Sequence, residues 1–337
     1  MRKNFNIAVV GATGNVGREV ISILAERNFP TNEIHALASE NSVGKNISFG
    51  DEENLIVEDL ADFNFAKIDI IFSCASEAIT EIVREKTKTS SAIIIDKSSL
   101  YRMDNRVPLI VPEVNADELA DYKNINIIAS PNCNAIPISI VLNSLEEHFG
   151  IKRAVISTYQ AVSGAGRDAM DELYEQTKVR FVFKDLEPRF FPKPIAFNII
   201  PQIGSFEVDG YTGEENKIRQ ELKKILGKNI AISVTSVRVP VFVGHGASIN
   251  IELEEEYDLE EIKQVLSSAQ GIEFLQDPKS YDTPLDIAGS DKVHVSRLRK
   301  DSDKNNAINL WIMSDNLRKG AALNAVQIAE ELTKRYR

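Results

Sequence analysis

Three glycines at intervals of three, Gly11, Gly14 and Gly17, stand between an apolar run and an amphipathic one, and no other stretch constrains the fold as much. Phe5–Val10 reads as a buried strand, and Asn15–Glu26 has the apolar spacing of a helix. A glycine ending the strand allows a tight turn, and the second lets the backbone approach a pyrophosphate. The third permits close helix–strand packing, and the helix N-terminus faces the phosphate. Gly11, Thr13, Gly14, Asn15, Val16 and Gly17 are therefore candidate dinucleotide contacts. The spacing GxxGxxG, a variant of GxGxxG, is common in NADP-using folds. Cofactor choice is read at the end of the second strand. There Ser39, Asn41, Ser42 and Lys45 are donors suited to a 2′-phosphate, and no acid ends the strand itself. Glu40 cuts the other way, as a possible partner for a ribose diol. NADP is the expected cofactor.

The first 130 residues alternate short apolar runs with helical patterns. Glu33–Leu37, Ile68–Ser73, Ala92–Asp96 and Ile125–Ala129 read as further strands, with a helix over Ser76–Lys88. That alternation predicts a mostly parallel sheet. Beyond Pro131 the pattern changes. Ala154–Ala161, Ile230–Val241 and Ser248–Leu253 are longer and alternate apolar with polar, as in a sheet with one face packed and the other solvated or covered by a partner. Gly320–Tyr336 reads as a helix that returns to the first domain. The expected fold is α/β: a Rossmann-type nucleotide-binding domain over 1–130, completed by helix 320–337, plus an α+β catalytic and dimerisation domain over 131–319 with a mostly one-faced sheet. A homodimer is expected from that face.

A chain of 337 residues with 43% hydrophobic residues can bury a real core, and a formal charge of −11 argues against nucleic acid or an anionic membrane as main partner. No stretch approaches the 18 apolar residues of a membrane span, and the N-terminus reads as a strand rather than a signal peptide. Two cysteines, Cys74 and Cys133, form neither a disulfide framework nor a metal spacing, so no metal site and a reducing cytoplasm are expected. They differ in context. Cys74 lies in an apolar strand end, whereas Cys133 sits in Pro131-Asn132-Cys133-Asn134, a polar loop opening a helical segment from Ile136 to His148. A thiol at a helix N-terminus has a lowered pKa and is a candidate nucleophile.

With these landmarks in order along the chain, the sequence resembles the aspartate-β-semialdehyde dehydrogenase family. The matching stretches are Gly11–Gly17, Leu37–Lys45, Pro108–Asn115, Ser130–Cys133, Thr158–Gly166, Ala196–Ile203, Tyr211–Lys217, Arg238–Gly246 and Asn316–Asn324. The resemblance implies that Cys133 attacks an acyl phosphate to form a thioester, that Gln160 orients substrate and that His245 is the acid–base group. It makes Arg238 the ligand of the substrate carboxylate. Arg102 and Lys217 become contacts of its phosphate, with Glu214 nearby. Ser163, Gly164 and Asn316 lie beside the cofactor. The implied reaction is NADPH-dependent reduction of L-aspartyl 4-phosphate to L-aspartate 4-semialdehyde, at the branch to lysine, diaminopimelate, methionine and threonine.

The chain departs from the family pattern in places. Asn134 and Pro137 stand where Ser or Thr and a Gln are usual, Asn41 replaces an arginine, Lys97 an asparagine, and Cys74-Ala75 an Ala-Gly pair. N-acetyl-glutamyl-phosphate reductases share the glycine turn, but their cysteine typically follows Pro-Gly rather than Pro131-Asn132. A Tyr-x-x-x-Lys pair, Tyr174 and Lys178, matches short-chain dehydrogenases but leaves Cys133, Gln160 and His245 without roles. A silent NADP-binding sensor is the non-enzymatic alternative, and intact catalytic residues weigh against it.

Overall fold

Six residues of alternating bulk, Phe5–Val10, form the central strand β1 of a seven-stranded sheet. The computed structural model describes residues 4–51, 53–182 and 186–336, and the chain divides into two units, Met1–Asn132 with Ala321–Arg337, and Cys133–Gly320. The first unit continues with α1 (Asn15–Glu26), β2 (Thr31–Ala38), β3 (Asn46–Phe49), β4 (Glu53–Asp59) and β5 (Ile70–Ser73). It then runs through α2 (Glu77–Lys86), β6 (Ile93–Asp96), the short α3 (Pro112–Asn115) and β7 (Ile127–Ala129). The second unit holds α4 (Ala135–Phe149), β8 (Ile151–Gln160), α5 (Arg167–Arg180), α6 (Gly213–Leu226), β9 (Ala231–Arg238) and β10 (His245–Leu253). After these come α7 (Leu259–Ser268), β11 (Ile272–Phe274), the short α8 (Pro284–Ile287), β12 (Val293–Lys300) and β13 (Ala307–Ser314). The chain then returns to the first unit as α9 (Leu323–Tyr336).

In the first unit the order is β3-β4-β2-β1-β5-β6-β7, and every pairing is parallel except that of β3 with β4. Ile7 and Val9 pack with Val20, Ile21 and Leu24 of α1 and with Ala325, Ile328, Ala329 and Leu332 of α9 in one core. Parallel pairing brings the carboxyl ends of the central strands to one edge, where ligands bind in such sheets. The N–H groups of Gly11 and Ala12 donate to the Leu37 carbonyl at that edge, Cys74 N–H to Val10 and Ser130 N–H to Asp96.

The second sheet runs β11-β12-β13-β10-β8-β9 and is mixed. Helices α4 and α6 pack on its inner side, burying Ala154, Ile156 and Thr158, whereas Val155 and Ser157 are half-buried and Tyr159 is exposed. Tyr159 packs against Trp311 on this open face, with ring centroids 5.3 Å apart. Register places three candidate residues at one end of the sheet. Gln160 is opposite Arg238 where β8 and β9 both end, and His245 begins β10 next to them.

Several boundaries differ from those read in the sequence. The strand expected over Ile68–Ser73 begins only at Ile70, because Phe65–Lys67 forms a 3-10 turn capped by the Asn64 side chain. The strand expected to reach Val241 ends at Arg238, short of Pro240, which has no N–H to give a ladder. The helix expected from Gly320 starts at Leu323, behind a π turn over Arg318–Ala322. The pair β3 and β4 was not expected, and the strand read over Ser248–Leu253 begins earlier, at His245.

Candidate active site

The nucleophile candidate sits just ahead of a helix. Asn134 is the N-cap of α4, and its side-chain amide lies 3.8 Å from the half-buried Cys133 sulfur. Pro137 falls in the first turn of α4, where its missing N–H costs nothing. Gly320 presses against Cys133 from the other side: a Cβ there would lie 2.9 Å from the Cys133 carbonyl oxygen. Cys74 is a poor rival, because burial pushes its thiol up to about 12, with Lys97 offsetting part of the effect. It stays protonated at neutral pH.

Arg238 is 6% exposed, and Nη1 donates to the Ala161 carbonyl at 2.7 Å. Among the described residues it closes no salt bridge. Burial lowers its pKa, while the Glu214 carboxylate and Cys133 act in the opposite direction. A buried guanidinium bonded to a neutral carbonyl is costly unless an anion completes its shell. Gln160, 2% exposed, donates through Nε2 to Thr158 Oγ1 at 3.2 Å and to Glu214 Oε1 at 3.3 Å. Glu214 is held at the start of α6 by a capping box between Thr212 and Glu215. Glu215 also accepts from the Ser236 N–H at 2.9 Å, which ties α6 to the strand carrying Arg238.

His245 is 3% exposed; Nδ1 accepts from the Ala161 N–H at 3.1 Å, and Nε2 is buried with no hydrogen-bond partner among the described residues. Burial, then the Arg238 charge, holds its pKa at about 3, so the ring is neutral. A Cβ on Gly164 would lie 3.1 Å from Nε2 and 3.3 Å from Arg238 Nη1, so the bare backbone of Gly164 leaves this space open. Cys133, Gln160, Glu214, Arg238 and His245 thus converge within the second unit. Lys217 lies on α6 as well, with its side chain exposed.

Ser163 and Asn316 are bound to one another rather than pointing outward. Asn316 Nδ2 donates to Ser163 Oγ at 2.9 Å, and Oδ1 accepts from the Gly244 N–H at 2.9 Å. In the first unit, Arg102 is 8% exposed and donates through Nη2 to the Lys97 carbonyl at 2.8 Å. The Lys97 ammonium in turn reaches Ser130 Oγ and the Pro131 carbonyl, each at 3.2 Å. Tyr174 and Lys178 lie exposed on α5, where Lys178 pairs with Glu175 and stacks over Tyr174.

The glycine turn fits a dinucleotide. Gly11 has φ +76 and a Cβ there would sit 2.6 Å from the Cys74 carbonyl oxygen; on Gly17 it would sit 2.2 Å from that of Gly11. The fold itself requires both. Gly14 is different: φ is −75, and a Cβ would meet only the Gly11 oxygen at 3.3 Å. Its bareness instead exposes the start of α1, which has no acidic residue in its first turn and no side-chain cap. That end is suited to a phosphate. The 3-10 turn Glu40–Ser42 follows β2 directly, with Asn41 exposed and Lys45 Nζ 3.2 Å from Ser42 Oγ.

Two family descriptions match the chain: "Semialdehyde dehydrogenase, NAD binding domain" over 6–122 and "Semialdehyde dehydrogenase, dimerisation domain" over 142–319. The aspartate-semialdehyde dehydrogenase of Rickettsia conorii is 53% identical over the whole of both chains. The chain belongs to the aspartate-semialdehyde dehydrogenase family. A crystal structure of aspartate semialdehyde dehydrogenase II from Vibrio cholerae, complexed with ASA, has a TM-score of 0.96 at 39% identity and covers 99% of this chain and 100% of that one. The Candida albicans aspartate semialdehyde dehydrogenase with NADP has a TM-score of 0.76 at 25% identity, with 98% of each chain covered. As an aspartate-semialdehyde dehydrogenase, this chain carries site features that residue patterns did not announce. The Ala161 peptide serves His245 with its N–H and Arg238 with its C=O, and Gly320 packs on Cys133. A backbone group leaves no trace in residue type, and the Gly320 contact exists only in three dimensions.

Proposed function

We propose that the enzyme reduces L-aspartyl 4-phosphate to L-aspartate 4-semialdehyde with NADPH, releasing phosphate through a thioester on Cys133. The observation that carries this reading is the buried Arg238 guanidinium, without a salt bridge among the described residues and coupled electrostatically to Cys133 and His245. A bidentate carboxylate is the anion whose shape fits its fork. With that end held by Arg238 and the chain of the substrate against Gln160, the thiolate of Cys133 attacks the acyl carbon. The bond to the phosphate oxygen breaks, and Arg102 and Lys217 hold the departing group.

Gly11, Thr13, Gly14, Asn15, Val16 and Gly17 hold the pyrophosphate of the dinucleotide, Ser39, Asn41 and Ser42 its 2′-phosphate, and the loop of Ser163 and Gly164 its nicotinamide end. When bound, the reduced nicotinamide supplies the hydride this chemistry requires. His245 is the acid–base group: it protonates the oxygen of the tetrahedral adduct on Cys133 and takes that proton back as the carbonyl re-forms and the thiolate leaves. The open face bearing Tyr159 and Trp311 supports a homodimer.

The test is phosphate-dependent oxidation of aspartate semialdehyde with NADP and NAD side by side. Cys133→Ser should abolish turnover with NADPH affinity nearly unchanged, and Cys74→Ser should leave it largely intact. Equal behaviour of the two variants would overturn the nucleophile, and an inert wild-type protein that still binds NADPH would support a sensor.

A further inference from the structure

On α5, Glu172 and Gln176 stand one helical turn apart, on the face that also buries Ala169 and Leu173, and each is only 2% exposed. A carboxylate and an amide buried so deeply need partners, and here they find them in backbone. Glu172 Oε2 accepts from the N–H groups of Arg189 and Phe190 at 3.0 and 2.8 Å. Gln176 Oε1 accepts from those of Ile195 and Ala196 at 2.8 and 3.1 Å. Gln176 Nε2 joins the two by donating to Glu172 Oε1 at 2.9 Å. Two side chains of one helix thus hold four N–H groups of the loop that follows it.

That loop ends on Arg238. Arg238 closes β9, the last strand of its sheet, so nothing in the sheet itself covers its outer edge. Ile200 covers it: its N–H donates to the Arg238 carbonyl at 3.0 Å, and its C=O accepts from the Arg238 N–H at 2.8 Å. The next residue, Val239, bonds the other way, to the Gln160 carbonyl. Between the anchored Ala196 and Ile200 the chain passes through Phe197 at φ +59, a left-handed conformation that a bulky residue holds only under constraint. Ile195, Ala196 and Ile200 pack with Ala169 and Leu173, which fixes how deep the loop sits. The hydrogen bonds fix which residue meets Arg238. We infer, on the reading of Arg238 as the ligand of the substrate carboxylate, that Glu172 and Gln176 are positioning residues for it. By holding Arg189–Ala196 against α5 they set Ile200 on the sheet edge, and so fix the backbone from which the guanidinium extends.

Both oxygens of Glu172 accept, and a carboxylate has no hydrogen to give. In Glu172→Gln one oxygen becomes an NH2 group. It must face either the Gln176 NH2 or the N–H groups of Arg189 and Phe190, so the shape survives and the pattern breaks. Exchanging the two residue types repairs it. In Glu172→Gln/Gln176→Glu the amide oxygen at 172 accepts from Arg189 and Phe190, and its NH2 donates to the carboxylate at 176. The second oxygen of that carboxylate accepts from Ile195 and Ala196.

The experiment compares the full-length wild type, Glu172→Gln and the exchanged double variant in phosphate-dependent oxidation of aspartate semialdehyde with NADP. Glu172→Gln should lower kcat/KM for the semialdehyde about 30-fold, mainly through KM, with the phosphate KM and the NADPH Kd within about twofold of wild type. The double variant should recover to within about threefold of wild type. In an Arg238→Ala background the same Glu172→Gln change should cost less than about threefold, because the group it places is gone. Wild-type kinetics in a folded Glu172→Gln with a lowered Tm would give the pair a purely structural role and overturn the inference. So would a double variant no better than the single one, or a loss undiminished without Arg238. Should Glu172→Gln not fold, Gln176→Leu, which keeps the Glu172 bonds to Arg189 and Phe190, goes through the same kinetics and the same Arg238→Ala background. Failure of the underlying reading shows separately, as a nearly normal Arg238→Ala.

Discussion

Arg238 is a planar cation placed where a point charge would not serve. Nη1 is committed to the Ala161 carbonyl, which leaves the remaining edge of the fork to meet a carboxylate in one orientation. Arg238→Lys should therefore impair the enzyme almost as badly as Arg238→Ala, by about 2–4 kcal/mol in kcat/KM for the semialdehyde. Steady-state kinetics of the three proteins checks this, and a nearly normal lysine variant would reduce Arg238 to packing. Candidates of this kind are legible in a sequence because their chemistry is carried by their type. Cys133, Gln160, Arg238 and His245 each stood in a motif. Their immediate partners were not legible. The Ala161 peptide and the mutual bonds of Ser163, Asn316 and Gly244 join positions more than 70 residues apart, and two of them use backbone N–H groups that any residue but proline possesses.

At the scale of elements, the π turn Arg318–Ala322 packs on Cys133 through Gly320. A methyl on Gly320 would meet the Cys133 carbonyl at 2.9 Å and its Cβ at 3.3 Å, and neither belongs to a flexible chain end. Gly320→Ala should displace the thiol, lowering kcat by about 100-fold while the protein still folds, as judged by circular dichroism and NADPH binding. The turn after β2 bears on cofactor choice. Asn41 is exposed beside Ser42 and Lys45, so adding a cation there should strengthen NADP binding by roughly 1 kcal/mol. Asn41→Arg should widen the ratio of kcat/KM for NADP over NAD, mainly through the NADP KM, and the gain should shrink with salt. No response at low salt would mean the loop does not meet the 2′-phosphate. The elements themselves were readable where apolar residues recur over a full strand or several helical turns, as in β1, α1 and β10. They were not where a strand is short and half polar: β3 is Asn-Ile-Ser-Phe, and β4 starts and ends in acids.

For the molecule as a whole, a buried neutral histidine makes folding sensitive to acid. The pKa of His245 falls from 6.5 to about 3 on folding, so between those values the unfolded chain binds more protons. Stability from this group is complete above pH 6.5 and is lost as pH falls toward 3, by at most about 1.4 kcal/mol per pH unit. Urea unfolding at pH 7 and pH 4.5 should therefore show a smaller drop for His245→Gln than for the wild type. An identical drop would mean that the ring protonates freely in the folded state.

The return of α9 to the first sheet also sets the order in which a growing chain can finish its parts. Strands β1 to β7 leave the ribosome first, yet the apolar stripe of Ala325, Ile328, Ala329 and Leu332 that completes their core is made nearly two hundred residues later. At ordinary synthesis rates that is a wait of roughly 10 to 40 s, with an apolar strip uncovered. The second unit is continuous from Cys133 to Gly320 and has no such wait. The part made later is the first to possess every residue of its own core, and the part made first keeps its apolar strip uncovered until the last helix arrives.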